Sequence, residues 1–340
     1  MKHIFFSEIG AQLQPDDLLV LVESSRCLKS INLGFGRYSE RSVLVTSDLL
    51  LRLSQTPKLD YLEICNLLDQ PKSFQIVKTQ NPTPFQSLER VVLSVSAWTS
   101  TERLQLDRLL LIIYQATSDV VSAAAQVFPN VVSLTLNLRD GDGAFLRDLE
   151  AVPNLRHLAI TGSQATSFPR GGLLALQRLS CLETLTVVNP KWIEAAMVAP
   201  QFTDDDLDLI ISGMSDLKRL EFDITWVSQS VSVLLSLSKH CRRLEGLNLD
   251  GSYDLQALNN TSKVMFPRLL DLTPEDAWIQ GVPVRLQAKQ IGRLVDNHAP
   301  ALGTFNLRAN YHSHPVTNAW RTLRNLESDD EGSDSDISDD

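Results

Sequence analysis

The sequence predicts an α/β solenoid: a curved parallel sheet on the concave side, with helices on the convex side. Three observations lead there. A short phrase, apolar at its first, fourth and sixth positions, returns from one end of the 340 residues to the other. Its anchors are Leu28, Leu59, Leu88, Val131, Leu155, Leu182, Leu217, Leu244, Leu269 and Leu302, set 24 to 43 residues apart. Between phrases the apolar spacing widens from two to three or four, the change from strand to helix. The clearest copy is Leu244-Glu245-Gly246-Leu247-Asn248-Leu249-Asp250.

L-x-x-L-x-L at such a period marks a leucine-rich repeat, here in about ten irregular copies. Each repeat packs only on its neighbours, so one core can run the whole length and 340 residues need not mean two domains. The division expected is a helical cap over 1–26, the solenoid over 27–326 and a disordered acidic tail over 327–340.

Pro15-Asp16-Asp17 followed by apolar residues starts a helix, with proline and acids in the first turn. In the first phrase Ile31 and Leu33 point inward, while Ser30, Asn32 and Gly34 point out. Leu49, Leu50 and Leu53 after a capping Ser47 form the next helix, and 71–84, with three prolines, loops out. The 43-residue step after Leu88 has room for two helical pieces, around 104–114 and 120–127. Proline pairs such as Phe128-Pro129 and Pro153-Asn154 end a helix and feed a strand. Residues 189–202 read as an insertion. Thr203-Asp204-Asp205-Asp206 caps a helix with Leu207, Ile210 and Ile211 on one face and Gly213 at its end. Val231, Leu234 and Leu235 repeat the pattern.

A net charge of -10 without a basic tract speaks against nucleic acid as a partner. No apolar run reaches membrane-spanning length, and the opening residues do not form a signal peptide. Cys27, Cys181 and Cys241 stand just ahead of anchors and read as small apolar filler, not as a disulfide framework. The expectation is a reduced protein of the cytoplasm and/or nucleus. No nucleophile–base set, metal-ligand spacing or phosphate loop can be assembled, so neither enzyme activity nor a cofactor is expected.

The irregular steps, the lead-ins such as Pro153-Asn154-Leu155 and Phe266-Pro267-Arg268-Leu269, and the helix-rich spacers resemble the repeat region of fungal F-box/leucine-rich-repeat proteins over about residues 15–326. The resemblance implies that the repeats select a target protein, and that an F-box docks the chain on the adaptor of a ubiquitin ligase. The residues ahead of Leu28 are too few for an F-box and lack its L-P-x-E-(L/I) opening. A second departure is the ninth repeat position, usually Asn or Cys. Here it is Gly36, Leu67, Ser96, Arg139, Ser163, Pro190, Thr225, Ser252 and Ala277, and only Asn310 fits. Buried loop amides then need other partners.

The outward residues of the middle repeats are small: Ser133, Thr135, Asn137, His157, Ala159, Thr161, Thr184 and Thr186. From the seventh repeat they turn acidic, giving a candidate concave patch of Arg219, Glu221, Asp223, Asn248, Asp250, Asp271 and Glu275 for a basic protein segment. The same acids also read as a solvated face. Trp98, Trp226, Tyr253 and Tyr311 fall where strands exit toward the rim, a core position of the repeat as much as an interface anchor. Leu106–Leu110 matches an L-x-x-L-L docking helix, with core packing as the default. His312 and His314 read as a turn. Ser328, followed by three acids, is a candidate phosphosite in a tail that also reads as solubilising. The functions in view are a target-selecting scaffold of an F-box-type ligase, an acidic binder of basic, histone-like proteins, and a structural family member.

Overall fold

The computed structural model describes residues 2–5, 15–25, 27–33, 46–65, 80–81, 85, 87–94, 109–116, 121, 125, 130–138, 143–162, 165–189, 197–226, 229–260, 263–279, 284–307 and 315–324. The strands, in chain order, begin with β1 (His3–Phe5), β2 (Ser30–Asn32), β3 (Tyr61–Cys65), β4 (Arg90–Ser94) and β5 (Leu109–Ala116). Next come β6 (Val131–Leu138), β7 (His157–Gly162), β8 (Thr166–Ser167), β9 (Thr184–Val188) and β10 (Met197–Val198). The last are β11 (Arg219–Phe222), β12 (Ile224–Thr225), β13 (Gly246–Asp254), β14 (Asp271–Trp278) and β15 (Thr304–Phe305). Twelve of them form one parallel sheet in sequence order, and β8, β10 and β12 form a second, three-stranded parallel sheet. The alternation of strand and helix, with consecutive strands paired, is a leucine-rich-repeat solenoid.

Two repeated backbone devices build each unit. In nine repeats the anchor N–H donates to the carbonyl three residues back, from Leu28 to Ser25 (3.1 Å) through Leu182 to Leu179 (3.1 Å) to Leu302 and Ala299 (3.0 Å). That turn aims the chain from spacer into strand. The carbonyl just after the anchor then accepts two N–H groups from the next repeat. Glu183 takes Lys218 (2.8 Å) and Arg219 (3.1 Å), Lys218 takes Glu245 (2.7 Å) and Gly246 (3.0 Å), and Glu245 takes Leu270 (2.7 Å) and Asp271 (3.1 Å).

The turn corrects the reading of the cysteines. The residue three before the anchor is the core position, holding Val152, Leu179, Met214, Cys241 and Ala299, all buried. The residue immediately before the anchor is also in the turn but faces outward. Cys241 is therefore buried, while Cys27 and Cys181 are exposed.

Phrase positions four and six fill the core: Ile31, Leu62, Ile64, Leu134, Leu136, Leu158, Ile160, Leu185, Val187, Leu220, Phe222, Leu247 and Leu249 are all buried. Two strands of the main sheet lie where none was expected. Leu109–Ala116, assigned above to a helical piece, is β5, paired with β4 and β6. Its Leu111 and Ile113 take the inward positions, but Arg108 stands where the anchor would be, and the uninterrupted apolar run hides the alternation. The docking-helix motif ends in the same strand, and the rest of it lies outside the described residues. Likewise the first 26 residues hold more than a helix, because β1 pairs with β2 ahead of the helix Pro15–Ser24.

The helix Ser47–Ser54 is capped by Thr46, whose Oγ1 accepts from Leu49 N–H (3.3 Å), so Ser47 is its first residue and not its cap. The helix Asp204–Ser212 closes as expected, with a Thr203–Asp206 capping box at one end and Gly213 at the other. A Cβ on Gly213 would meet the Gln177 carbonyl oxygen at 2.3 Å, so only glycine lets the two spacers approach. In the last repeat the helices Val284–His298 and Pro315–Leu323 pack together, and Trp320 lies edge-on to Phe305 at 5.9 Å.

In the middle repeats backbone pairing stands where an asparagine ladder would lie. β8, β10 and β12 pair with one another past the ends of the main strands. Gly143 N–H donates to Ser167 (3.2 Å), Phe168 to Val198 (2.9 Å) and Ala199 to Thr225 (2.9 Å). Each loop thus satisfies its neighbour.

Candidate functional site

The face of the sheet formed by the odd phrase positions is one continuous surface, because the register holds from position three to position six wherever neighbouring strands of the main sheet pair there. One row runs Ser30, Tyr61, Arg90, Leu110, Ser133, His157, Thr184, Arg219, Gly246, Asp271, Thr304. The next runs Asn32, Glu63, Val92, Ile112, Thr135, Ala159, Thr186, Glu221, Asn248, Thr273. The small residues expected in the middle are there and are half-buried or exposed.

The predicted patch is brought together in part. Arg219, Glu221, Asn248, Asp250 and Asp271 lie on three adjacent strands of this face. Arg219 and Asp271 are two strands apart, with Gly246 between them. With no side chain there, the guanidinium reaches across to Asp271 (3.5 Å). A Cβ on Gly246 would stand 3.2 Å from Arg219 Nε. Asp271 is therefore answered within the patch. Asp250 accepts from Thr225 Oγ1 (3.0 Å). Glu221 and Asp250 have no cationic partner among the described residues, and they are the acids open to a ligand. Asp223 follows β11, and its N–H donates to the Val187 carbonyl (2.8 Å). The Glu275 side chain, like Ser328, the acidic tail, Trp98, Tyr311, His312 and His314, lies outside what is described.

Other charged groups are structural. On the edge where the strands begin, Glu183 accepts from Lys218 Nζ (2.5 Å) and Arg156 Nη1 (2.6 Å). Those two bonds, Lys218 first, pull its carboxyl down from 4.5 to about 2. On the helical side Asp206 takes both Arg170 Nε (2.9 Å) and Nη2 (2.7 Å), and Arg170 holds its carboxyl below the usual range. Asp204 gathers the loop before the helix Ser232–His240, accepting from Trp226 Nε1 (2.8 Å) and from the Ser230 and Ser232 hydroxyls (2.6 and 2.7 Å).

Trp226 and Tyr253 are core residues. Trp226 packs edge-on against Phe202 (5.6 Å) and Phe222 (5.9 Å). Tyr253 is buried and donates its hydroxyl to the Asp250 carbonyl (2.7 Å). Among the described residues the exposed large aromatic is one the sequence reading passed over, Trp278, at the same repeat position. An irregularity between Leu249 and Ser252 gives β13 one residue more than β14, so Tyr253 pairs with Ala277 and Trp278 falls beside Asp254. Gly251, with φ of +108° inside that irregularity, was the available signal.

The repeating turn, the parallel sheet and the two-row face define the fold class: an α/β solenoid of the leucine-rich-repeat kind. No protein-family model matches the sequence, and no curated protein does. Solved structures do. The mouse RP105/MD-1 complex matches at 14% identity and a TM-score of 0.48, over 80% of this chain and 42% of that one. The Rad7 and Elc1 complex in yeast matches at 14% identity and 0.44, over 88% and 68%. The leucine-rich repeat-containing protein LegL7 from Legionella pneumophila matches at 13% identity and 0.40, over 95% and 98%.

Proposed function

We propose that this chain is a protein-recognition scaffold that holds a basic segment of its target against the C-terminal third of the open sheet face. The carrying observation is Glu221 and Asp250 on adjacent strands of this face, two half-buried carboxylates that have no cationic partner among the described residues. A parallel face with small side chains in its middle admits an extended or helical segment, and the acids set its charge. In the cell the role is that of target selector in an F-box-type ubiquitin ligase pathway, in the cytoplasm and/or nucleus, which follows the family resemblance of the repeats. The acidic patch also favours a second reading, a binder of histone-like basic proteins.

The test is affinity purification of the tagged chain from its native cell, followed by titration of the recovered protein against the Glu221→Arg/Asp250→Lys variant. Affinity should fall about tenfold or more at low salt, with the difference shrinking as salt rises. Unchanged affinity overturns the patch. Recovery of a ligase adaptor and cullin supports the ubiquitination role. Basic nuclear proteins in their place support the second reading.

A further inference from the structure

The edge where the strands begin changes character toward its C-terminal corner. In the middle its cations are answered by acids, Arg156 and Lys218 by Glu183 and Arg243 by Asp216 (2.7 Å). At the corner they are not. Lys263 and Arg268 are exposed and pair with no acid among the described residues. Arg242 reaches only the Met265 carbonyl (3.5 Å), and Asp296, in the last turn of the helix Val284–His298, is taken by Arg324. Beside these cations stand Val264 and Leu270, 41% and 48% exposed. Pro300, Ala301 and Gly303, also exposed, continue the apolar surface. Backbone bonds hold the pieces together: the His298 carbonyl accepts from Met265 (3.1 Å) and Phe266 (2.9 Å), and the Leu270 carbonyl from Gly303 (2.8 Å). An exposed apolar patch rimmed by charge marks an interaction surface, and these charges ask for an acidic occupant.

The chain carries such a segment. Residues 327–340 hold eight acids and one apolar residue, Ile337, which is too little to bury for folding alone but enough for a single anchor between charges. The helix Pro315–Leu323 leads into that segment from this same corner, because Arg324 Nη2 donates to the Pro300 carbonyl (3.0 Å). Thirteen residues take the chain from Arg324 to Ile337, a reach of about 40 Å where neighbouring strands stand about 5 Å apart. We propose that residues 327–340 dock back on this corner, with Ile337 against Val264 and Leu270 and the flanking Asp336 and Asp339 toward Lys263 and Arg268. The contact uses nothing of the sheet face and stands apart from the reading above.

The full chain with labelled Ile, Leu and Val methyl groups tests this by NMR, with Ile337→Val, Val264→Ala and Leu270→Ala identifying the resonances. At low salt the Ile337 methyl should show NOE contacts to Val264 and Leu270. High salt, or Lys263→Glu/Arg268→Glu, should remove them and return Ile337 to its shift in a free peptide of residues 327–340. Leu and Val resonances unchanged elsewhere show that the charge-reversed chain is folded. Contacts that are missing at low salt, run to other residues or survive the charge reversal overturn the proposal. In a mixture of Ile-labelled with Leu/Val-labelled chains the contacts should vanish. Their persistence there makes the occupant the tail of a second copy and overturns docking within one chain.

Discussion

Glu63 and Glu221 occupy the same row of the same face and have opposite circumstances. Glu63, near the N-terminal end, accepts from Asn32 Nδ2 (2.6 Å) and from the Tyr61 hydroxyl, while Arg90 lies over the Tyr61 ring at 5.3 Å. Glu221, in the C-terminal third, has small or amide neighbours in Thr186 and Asn248 and no cationic partner among the described residues. Identical backbone geometry thus carries a carboxylate used to join repeats and one left for something else. The row position does not decide which. The adjacent repeats do.

That contrast between joined and open carboxylates can be broken most sharply at Asp206, the most fully engaged of them. Asp206→Ala removes a bidentate arginine contact and half of a capping box, and should cost about 2–4 kcal/mol in urea unfolding. A loss indistinguishable from zero would mean that the contacts are not made in solution. Next comes Glu63→Ala, expected to cost about 1–2 kcal/mol by the same measurement, with target affinity unchanged.

Glu183 sharpens the comparison through pH. Its folded carboxyl titrates near 2 instead of 4.5, so the unfolded chain binds the proton first as pH falls. Its contribution is present at neutral pH and is lost between about 4.5 and 2. Glu183→Gln should flatten the acid limb of the stability profile in that window and nowhere above it. Smallest of all, Glu221→Gln with Asp250→Asn should change stability by less than about 0.5 kcal/mol while weakening target binding. A stability loss as large as that of Glu63→Ala would remove the distinction between the two ends.

The inward rows could be read from the chain because positions four and six are apolar in nearly every phrase, and alternation fixes a strand's faces without any knowledge of its neighbours. The open row could be located by the same rule. What that row does could not. The Glu63 contacts depend on Asn32, 31 residues away, and the Arg219–Asp271 contact depends on a glycine in the intervening strand. β5 escaped because Arg108 interrupts the phrase, and Trp278 escaped because one extra residue at Gly251 turned a core position outward. Cys241 differs from Cys27 and Cys181 only by its place in a three-residue turn, yet burial pushes its thiol up to about 12 and leaves the other two exposed. In each case the deciding partner lies in another repeat or another arm of a turn.

The register shared by positions three to six also makes the open face a ruler. Its side chains recur about every 4.8 Å from strand to strand, whereas a partner in the polyproline II conformation advances about 3.1 Å per residue and returns a side chain to the same side every third residue. Two strand spacings match three partner residues at about 10 Å. A segment laid across β11, β13 and β14 therefore falls into step with this surface at every third residue, and the surface selects the spacing of its target's side chains as well as their charge.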